Sequence, residues 1–316
     1  MKILFDSHTH INNDGYSEEE RAQLIAAIED SEVAYVMDVG FDLPSSERAV
    51  SDATLLPWCY AVVGVHPHDT KTMTEEIYEK IRRLAGQPKV QAIGEIGLDF
   101  YYNHSDAEDQ RYWFRRQIRL ANELHMPIVI HAREADQETM DILKEEGAFS
   151  EERCGWFPPR PGTGIGRKAG AQTTQKASRA GEGGQAEACE AGRAEACDCT
   201  ENCCMEKDAR VLLHCFSGSR ELAEQYVKLG ATISIAGPVT YKNNRKTSEV
   251  VSAIPIEYLL VETDAPYLTP EPHRGKKNQS PYVAYTARRV ALLKGISYEE
   301  AARRTLENAK RFYGID

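Results

Sequence analysis

Eight short runs of apolar, often β-branched residues recur along the chain, at 2–5, 35–39, 60–65, 90–94, 127–130, 211–213, 232–235 and 258–261. Several are almost unbroken, the pattern of parallel strands covered on both faces. The segments between them carry helix signals. Ser17 with Glu20 three residues on is a capping-box pattern, opening a helix through Leu24, Ile25 and Ile28. Residues 74–85 set Ile77, Ile81 and Leu84 on one face, and 112–124 form a longer amphipathic run ended by Pro127. Residues 219–229 stop at Gly230, and 297–312 supply a last helix. Eight strand-then-helix units predict a (β/α)8 barrel of the TIM type as a single domain over 1–316. The competing architecture is an open doubly wound sheet, which the lack of a glycine-rich fingerprint after the first strand disfavours.

One stretch breaks the pattern. Residues 150–208 contain a single Leu, Ile or Val, namely Ile165, and are dominated by Gly, Ala, Pro, Arg and Glu. Such a composition buries too little apolar surface to offset its ordering entropy. It reads as a disordered insertion before strand six, bearing on substrate access because it enters between two strands that end in candidate ligands. Setting these 59 residues aside leaves 257 of the 316, the size of a bare barrel. The segment holds Cys154, Cys189, Cys197, Cys199, Cys203 and Cys204 but no histidine and no matched Cys-x-x-Cys knuckles, so an incidental cysteine-rich loop is favoured over a structural zinc site. Cys59 and Cys215 lie in strand contexts and read as buried thiols.

Composition adds constraints. With 41% hydrophobic and 28% charged residues the chain is that of a globular protein. No run approaches the roughly 18 consecutive apolar residues of a membrane span, and no signal peptide is evident, so a cytoplasmic protein is expected. The net charge of −11 argues against a general grip on nucleic acid, though not against a nucleic-acid substrate met by metal ions and a local basic patch.

The candidate chemistry lies where the runs end. His8 and His10 close the first, two residues apart and so on one face of a strand. His66 and His68 close the third, Glu95 the fourth, His131 the fifth, His214 the sixth and Asp264 the eighth. In barrel enzymes this end of the strands holds the active site. Imidazoles and carboxylates converging there are ligands for first-row metals. Two sites can be drawn, with His8, His10 and Asp264 on one ion, His131 and His214 on another, and Glu95 between them. Such a pair activates water and neutralises phosphate oxygens. Asp264 is placed to serve as ligand and general base, which makes Asp264 and Glu95 the catalytic candidates.

The motifs Asp6-Ser7-His8-Thr9-His10, Gly64-Val65-His66-Pro67-His68, Gly94-Glu95-Ile96-Gly97-Leu98-Asp99, His214-Cys215-Phe216-Ser217-Gly218 and Glu262-Thr263-Asp264-Ala265-Pro266-Tyr267-Leu268 resemble the signatures of the TatD family. The resemblance covers 1–149 and 209–316. It implies an amidohydrolase-like TIM barrel, a deoxyribonuclease acting on phosphodiesters with 3′ exonuclease activity, and metal ligands at His8, His10, Glu95, His131, His214 and Asp264. Two divalent ions are implied, Mg, Mn or Zn; DNA, single-stranded or at a 3′ end, is the implied substrate. A monomer without membrane attachment is expected. Arg133, just after His131, and Arg274 are the phosphate-contact candidates, together with His66 and His68. Tyr101, Tyr102 and Tyr267 are candidates to stack bases. Two other functions compete: amide or ester hydrolysis by the same two-metal arrangement, and a non-enzymatic metal-binding role centred on the insertion. The former is weakened by Glu95 standing where many amidohydrolases use a carboxylated lysine, the latter by the completeness of the site.

Overall fold

The computed structural model describes residues 1–102, 104–160 and 207–316. Eight strands, β1 Leu4–Thr9, β2 Val33–Val39, β3 Cys59–Val63, β4 Val90–Asp99, β5 Ile128–Arg133, β6 Val211–Leu213, β7 Thr232–Ile235 and β8 Leu259–Val261, pair in chain order, every pair parallel. The seam between β8 and β1 closes just past the strand ends. There Asp264 N donates to His8 O and His10 N to Ala265 O, each at 2.9 Å, while Ser7 Oγ donates to Val261 O at 3.0 Å. The predicted barrel is the fold.

Helices α1 Glu18–Asp30, α2 Leu43–Leu55, α3 Glu75–Ala85, α4 Ala107–Glu123, α5 Asp136–Glu145, α6 Glu151–Gly155, α7 Arg220–Lys228, α8 Arg245–Ala253, α9 Val283–Lys294 and α10 Tyr298–Tyr313 cover the outside. Among these described helices none is long and apolar enough to cross a membrane. The Ser17 capping box forms as predicted. The expected start at 112 was too late, because α4 begins at Ala107 and its first turn is polar apart from the alanine.

Two hydrophobic layers follow from strand alternation. The larger lies between strands and helices. The smaller fills the barrel, with Phe5, Met37, Val39, Val62, Ala92, Val129, Leu212 and Leu260 meeting in the interior. Phe312 and Tyr313 of α10 plug this core, and Tyr313 Oη donates to Ser7 O at 2.9 Å. Cys59 is buried as expected, whereas Cys215 and Cys154 are only partly so.

The edges of the proposed insertion are corrected. Ser150 caps α6, and Arg153, wholly buried, donates to Ala209 O, Met126 O and Asn122 Oδ1 at 2.7–2.9 Å. Arg160 is buried among Asp208 Oδ1, Glu257 O, Gly230 O, Ala231 O and Thr232 Oγ1 at 2.7–3.2 Å, with its guanidinium 4.1 Å from the Tyr258 ring. Residues 150–160 and 207–208 therefore belong to the barrel. The low-complexity reading failed there because an arginine can be core material when its terminal N–H groups find acceptors, as those of Arg153 and Arg160 do. Those acceptors sit where β6, β7 and β8 begin, at the end opposite His131 and His214. The chain leaves and re-enters on the far face, so its ends do not adjoin substrate. The disorder expected of the remainder, and Cys189, Cys197, Cys199, Cys203 and Cys204, lie outside the described residues.

Replacing all of 150–208 with a short Gly/Ser linker is accordingly expected to lower the melting temperature. Arg160→Met alone should cost about 1–3 kcal/mol, the penalty of leaving buried acceptors unpaired. An unchanged urea midpoint in Arg160→Met would show that this clasp is not structural.

Candidate metal centre

Strict alternation would not deliver the first histidines to the mouth of the barrel. Phe5 faces the interior core and Ser7 Oγ meets Ser234 Oγ at 3.1 Å, so Thr9 should point inward next. The β1–β2 register instead shifts between Asp6 and Thr9, and His8 and His10 take the inner face. β4 behaves alike. Ala92 is interior, the β4–β5 register shifts between Ile93 and Ile96, and Glu95 is turned inward. Gly97 then permits β4 to lie against β5, since a Cβ there would come 1.9 Å from His131 O. His131, His214 and Asp264 follow from their interior residues Val129, Leu212 and Leu260 by even steps. Asp264 itself has φ of 56°, a left-handed conformation that aspartate tolerates better than most residues, held by its N–H to His8 O.

Glu95 is the hub. Its Oε2 lies 3.3 Å from His8 Nε2 and 3.9 Å from His10 Nε2. Its Oε1 lies 2.7 Å from His214 Nε2, 2.9 Å from His131 Nδ1 and 3.5 Å from His66 Nε2. Asp264 Oδ1 completes the first group at 3.4 Å from His10 Nε2 and 3.9 Å from His8 Nε2. The six sequence-predicted ligands thus converge in one buried pocket, with His66 added.

Behind several imidazoles stands an acceptor that fixes the ring. His10 Nδ1 donates to Val39 O at 2.7 Å, leaving Nε2 for the pocket. His131 Nε2 donates to Asp99 Oδ2 at 3.0 Å, and His214 Nδ1 faces Glu262 Oε1 at 3.4 Å. Metal-bound histidines are held in this way. Asp99 and Glu262 were missed as functional residues although both lie inside the quoted motifs. The signal was there: Asp99 follows Glu95 by four and Glu262 precedes Asp264 by two, the spacings of one strand face. Asp99 also accepts from His68 Nε2 at 2.9 Å and from the N–H groups of Tyr101 and Tyr102 at 3.0 Å. His68 is therefore turned toward Asp99.

The donor set fits divalent cations. His8 is wholly buried and neither of its ring nitrogens makes a hydrogen bond, while Nε2 points between two carboxylates. Candidate ligand groups form around His8, His10 and Glu95, around His66, Glu95 and His131, and around His8, His214 and Glu262. His66 fits less well as a ligand. Its Nδ1 accepts from His68 N at 3.1 Å, and burial followed by the neighbouring His131 holds the ring well below its ordinary pKa, hence neutral with its proton on Nε2. That leaves an N–H aimed into the pocket.

Burial alone would raise the pKa of Glu95, but His214, His66 and His131 overcome it and hold the group well below the carboxylate range. Burial likewise opposes Asp264, and the His10 contact with the charge of His214 and His8 keeps it ionised. His214 is pushed well above its ordinary value, Glu95 outweighing desolvation; His131 rises under Asp99 and Glu95.

At the rim, Arg133 lies over Tyr101 and Tyr102, 4.1 and 4.5 Å from the ring centroids. Arg274 lies over Tyr241 at 4.6 Å, and Tyr267 meets the His10 ring edge-on at 6.4 Å. Asp99→Asn is expected to weaken metal binding about 10–100-fold, the usual effect of removing an outer partner of a ligating histidine. Titration calorimetry on the variant would test this, and unaltered affinity would reduce Asp99 to a bystander.

Comparison with known proteins identifies a family. The sequence profile of the family described as "TatD related DNase" matches residues 5–154 and 189–314. An uncharacterized metal-dependent hydrolase from Bacillus subtilis, YabD, is 36% identical over 314 residues, covering 99% of this chain and 100% of that protein. The protein named 3′-5′ ssDNA/RNA exonuclease TatD from Erwinia tasmaniensis is 28% identical, covering 99% and 100%. The crystal structure of YJJV, a TatD homologue from Escherichia coli, superposes with a TM-score of 0.75 at 21% identity, covering 100% and 99%; it supports the fold.

Proposed function

The chain belongs to the TatD-related DNase family of metal-dependent hydrolases, and from that premise we propose that it removes nucleotides from the 3′ end of single-stranded nucleic acid at a two-metal centre. The observation that carries this reading is the split of Glu95. One oxygen faces His8 and His10, and the other faces His131 and His214. A carboxylate between two imidazole groups is built to bridge two cations. The naming of the Erwinia relative as a 3′-5′ ssDNA/RNA exonuclease supports the choice of substrate.

In this reading His8, His10, Glu95 and Asp264 would hold one ion, and Glu95, His131 and His214 the other. When bound, such ions would supply Lewis-acid stabilisation of phosphate oxygens and a lowered pKa for water. The protein does the rest. Asp264, kept ionised, accepts the proton of the attacking water. His66, neutral and with Nε2–H toward the pocket, donates to a non-bridging phosphate oxygen. Arg133 and Arg274 hold neighbouring phosphates, and Tyr101 and Tyr102 offer ring faces to the terminal base. As water adds to phosphorus, the P–O3′ bond breaks, the O3′ of the shortened strand takes the proton that Asp264 received, and a 5′-mononucleotide leaves.

The test is product analysis on single strands with free and blocked 3′ ends, in Mg, Mn or Zn. Release of 5′-mononucleotides from the free end alone is expected. Hydrolysis of carboxylic esters or amides with no polynucleotide cleaved under any metal would overturn the reading in favour of an amidohydrolase activity.

A further inference from the structure

Two cavities, of about 670 and 540 Å3, share Tyr241, Lys242 and Asn244 in their walls; the first runs between α7, α8 and α9, and the second lies among the loops after β7 and β8. Arg220, Lys242, Arg245 and Arg289 line the first, and Arg274 lines the second. Three carboxylates share these walls, so the excess of cations is modest, yet it lies in a protein of net charge −11. What distinguishes these cations is their partners. On the helical flank Arg111, Arg115, Arg119, Arg303 and Arg304 each grip a glutamate. Arg220 pairs with Glu224, but among the described residues Lys242, Arg245, Arg274 and Arg289 grip no carboxylate; Arg274 rests on the Tyr241 ring, and Arg289 Nε is buried with no acceptor. A buried guanidinium nitrogen without an acceptor costs free energy that an incoming anion would recover. The first turn of α7 also lines the groove, adding the positive end of one helix dipole, whereas α8 lines it from its first residue to its last.

The loop geometry joins the groove to the metal centre. Tyr241 Oη donates to Thr269 O at 2.9 Å, five residues past Asp264, and Glu271 N donates to Thr240 Oγ1 at 2.9 Å. The segment that carries Asp264 therefore continues as the wall of the second cavity.

We propose that this groove is a second polyanion site, which holds backbone phosphates of a single strand whose end occupies the metal centre. The proposal rests on the nuclease reading for the identity of its ligand. It predicts that affinity grows with strand length beyond what the metal centre alone can contact. Lys242, Arg245 and Arg289 make the added contacts, and the Tyr241 ring is the surface on which a base stacks.

The test uses the full chain in chelator, so that binding is read without cleavage, by fluorescence anisotropy of a labelled DNA decamer. An Arg245→Gln/Arg289→Gln double variant should bind the decamer about tenfold more weakly. Its slope of log affinity against log salt should fall by about 0.7 for each lost contact. With metal restored, turnover of a dinucleotide should match the unaltered protein, which also shows that the fold is intact. A decamer with a neutral methylphosphonate backbone should bind both proteins equally weakly. Unchanged decamer affinity and slope in the variant, or tight binding of the neutral decamer, would overturn the groove. The two readings separate cleanly. Loss of decamer binding in the variant with no phosphodiester ever cleaved keeps the groove and sinks the nuclease. Normal cleavage with no effect of the variant on the decamer does the reverse.

Discussion

Asp264→Asn should lower turnover by about 10²–10⁴-fold, the worth of a positioned general base. The substitution keeps size and shape, and its amide still meets His10, 3.4 Å away, and His8, 3.9 Å away. It removes the charge and nearly all the basicity. Partial loss of the ion held with His8 and His10 would deepen the defect, so metal content must be measured alongside. Strand affinity should change far less, because Arg133, Arg274 and the other ion remain. The unfolding midpoint of the metal-free protein is informative as well. His10 is raised by Asp264, burial notwithstanding, so its favourable charge contact is lost in the variant. Undiminished hydrolysis with full metal occupancy would show that the proton goes to a group other than Asp264.

Glu95→Gln is expected to be more damaging. The amide cannot offer one anionic oxygen to each group of imidazoles, so bound metal should fall by at least one ion per chain. Losing several kcal/mol of charge stabilisation corresponds to about 10³-fold or more in rate. The pH behaviour should change with it. In the metal-free protein Glu95 is depressed below its ordinary 4.5, so its stabilising effect is present above that pH and is lost as pH falls through the folded value. His214 is raised above its ordinary 6.5, so its effect is full below that pH and is lost as pH rises through the folded value. On these two groups metal-free stability is therefore best between these limits and declines on either side of them. Metals compete with protons for the same imidazoles, so the melting-temperature gain on adding metal should grow from about pH 6 to about pH 8. In Glu95→Gln that growth should flatten. An equal metal-induced shift at every pH in the unaltered protein would contradict this linkage.

The barrel was legible because each strand carries its own signal and each is followed by enough chain for a crossover. The convergent cluster of candidate ligands was legible because His, Glu and Asp at the ends of apolar runs are conspicuous. Register was not. The interior positions of β1 and β4 are Phe5 and Ala92, whereas the functional ones are His8, His10 and Glu95, and nothing in a period of two foretells the shift that changes the inner face. Asp99 and Glu262 were passed over for a related reason: at the end of a strand an outer partner and a ligand look alike until the rings behind which they stand are placed. The edges of the insertion were misjudged because hydropathy gives no credit to Arg153 and Arg160, whose burial depends on carbonyl oxygens contributed by distant segments.

The clasp formed by those two arginines separates the molecule into a working end and a service end. Arg153 ties the outgoing chain to the approach to β5 and β6, and Arg160 ties it to the first residues of β7. The two ends of whatever is spliced between residue 160 and residue 207 are anchored at the bottom of the barrel, opposite the candidate metal centre. That makes the position a natural port for cargo. A fluorescent reporter or an affinity module built in there would be joined to the barrel at the end opposite His131 and His214, so metal binding by such a fusion should match that of the unaltered chain.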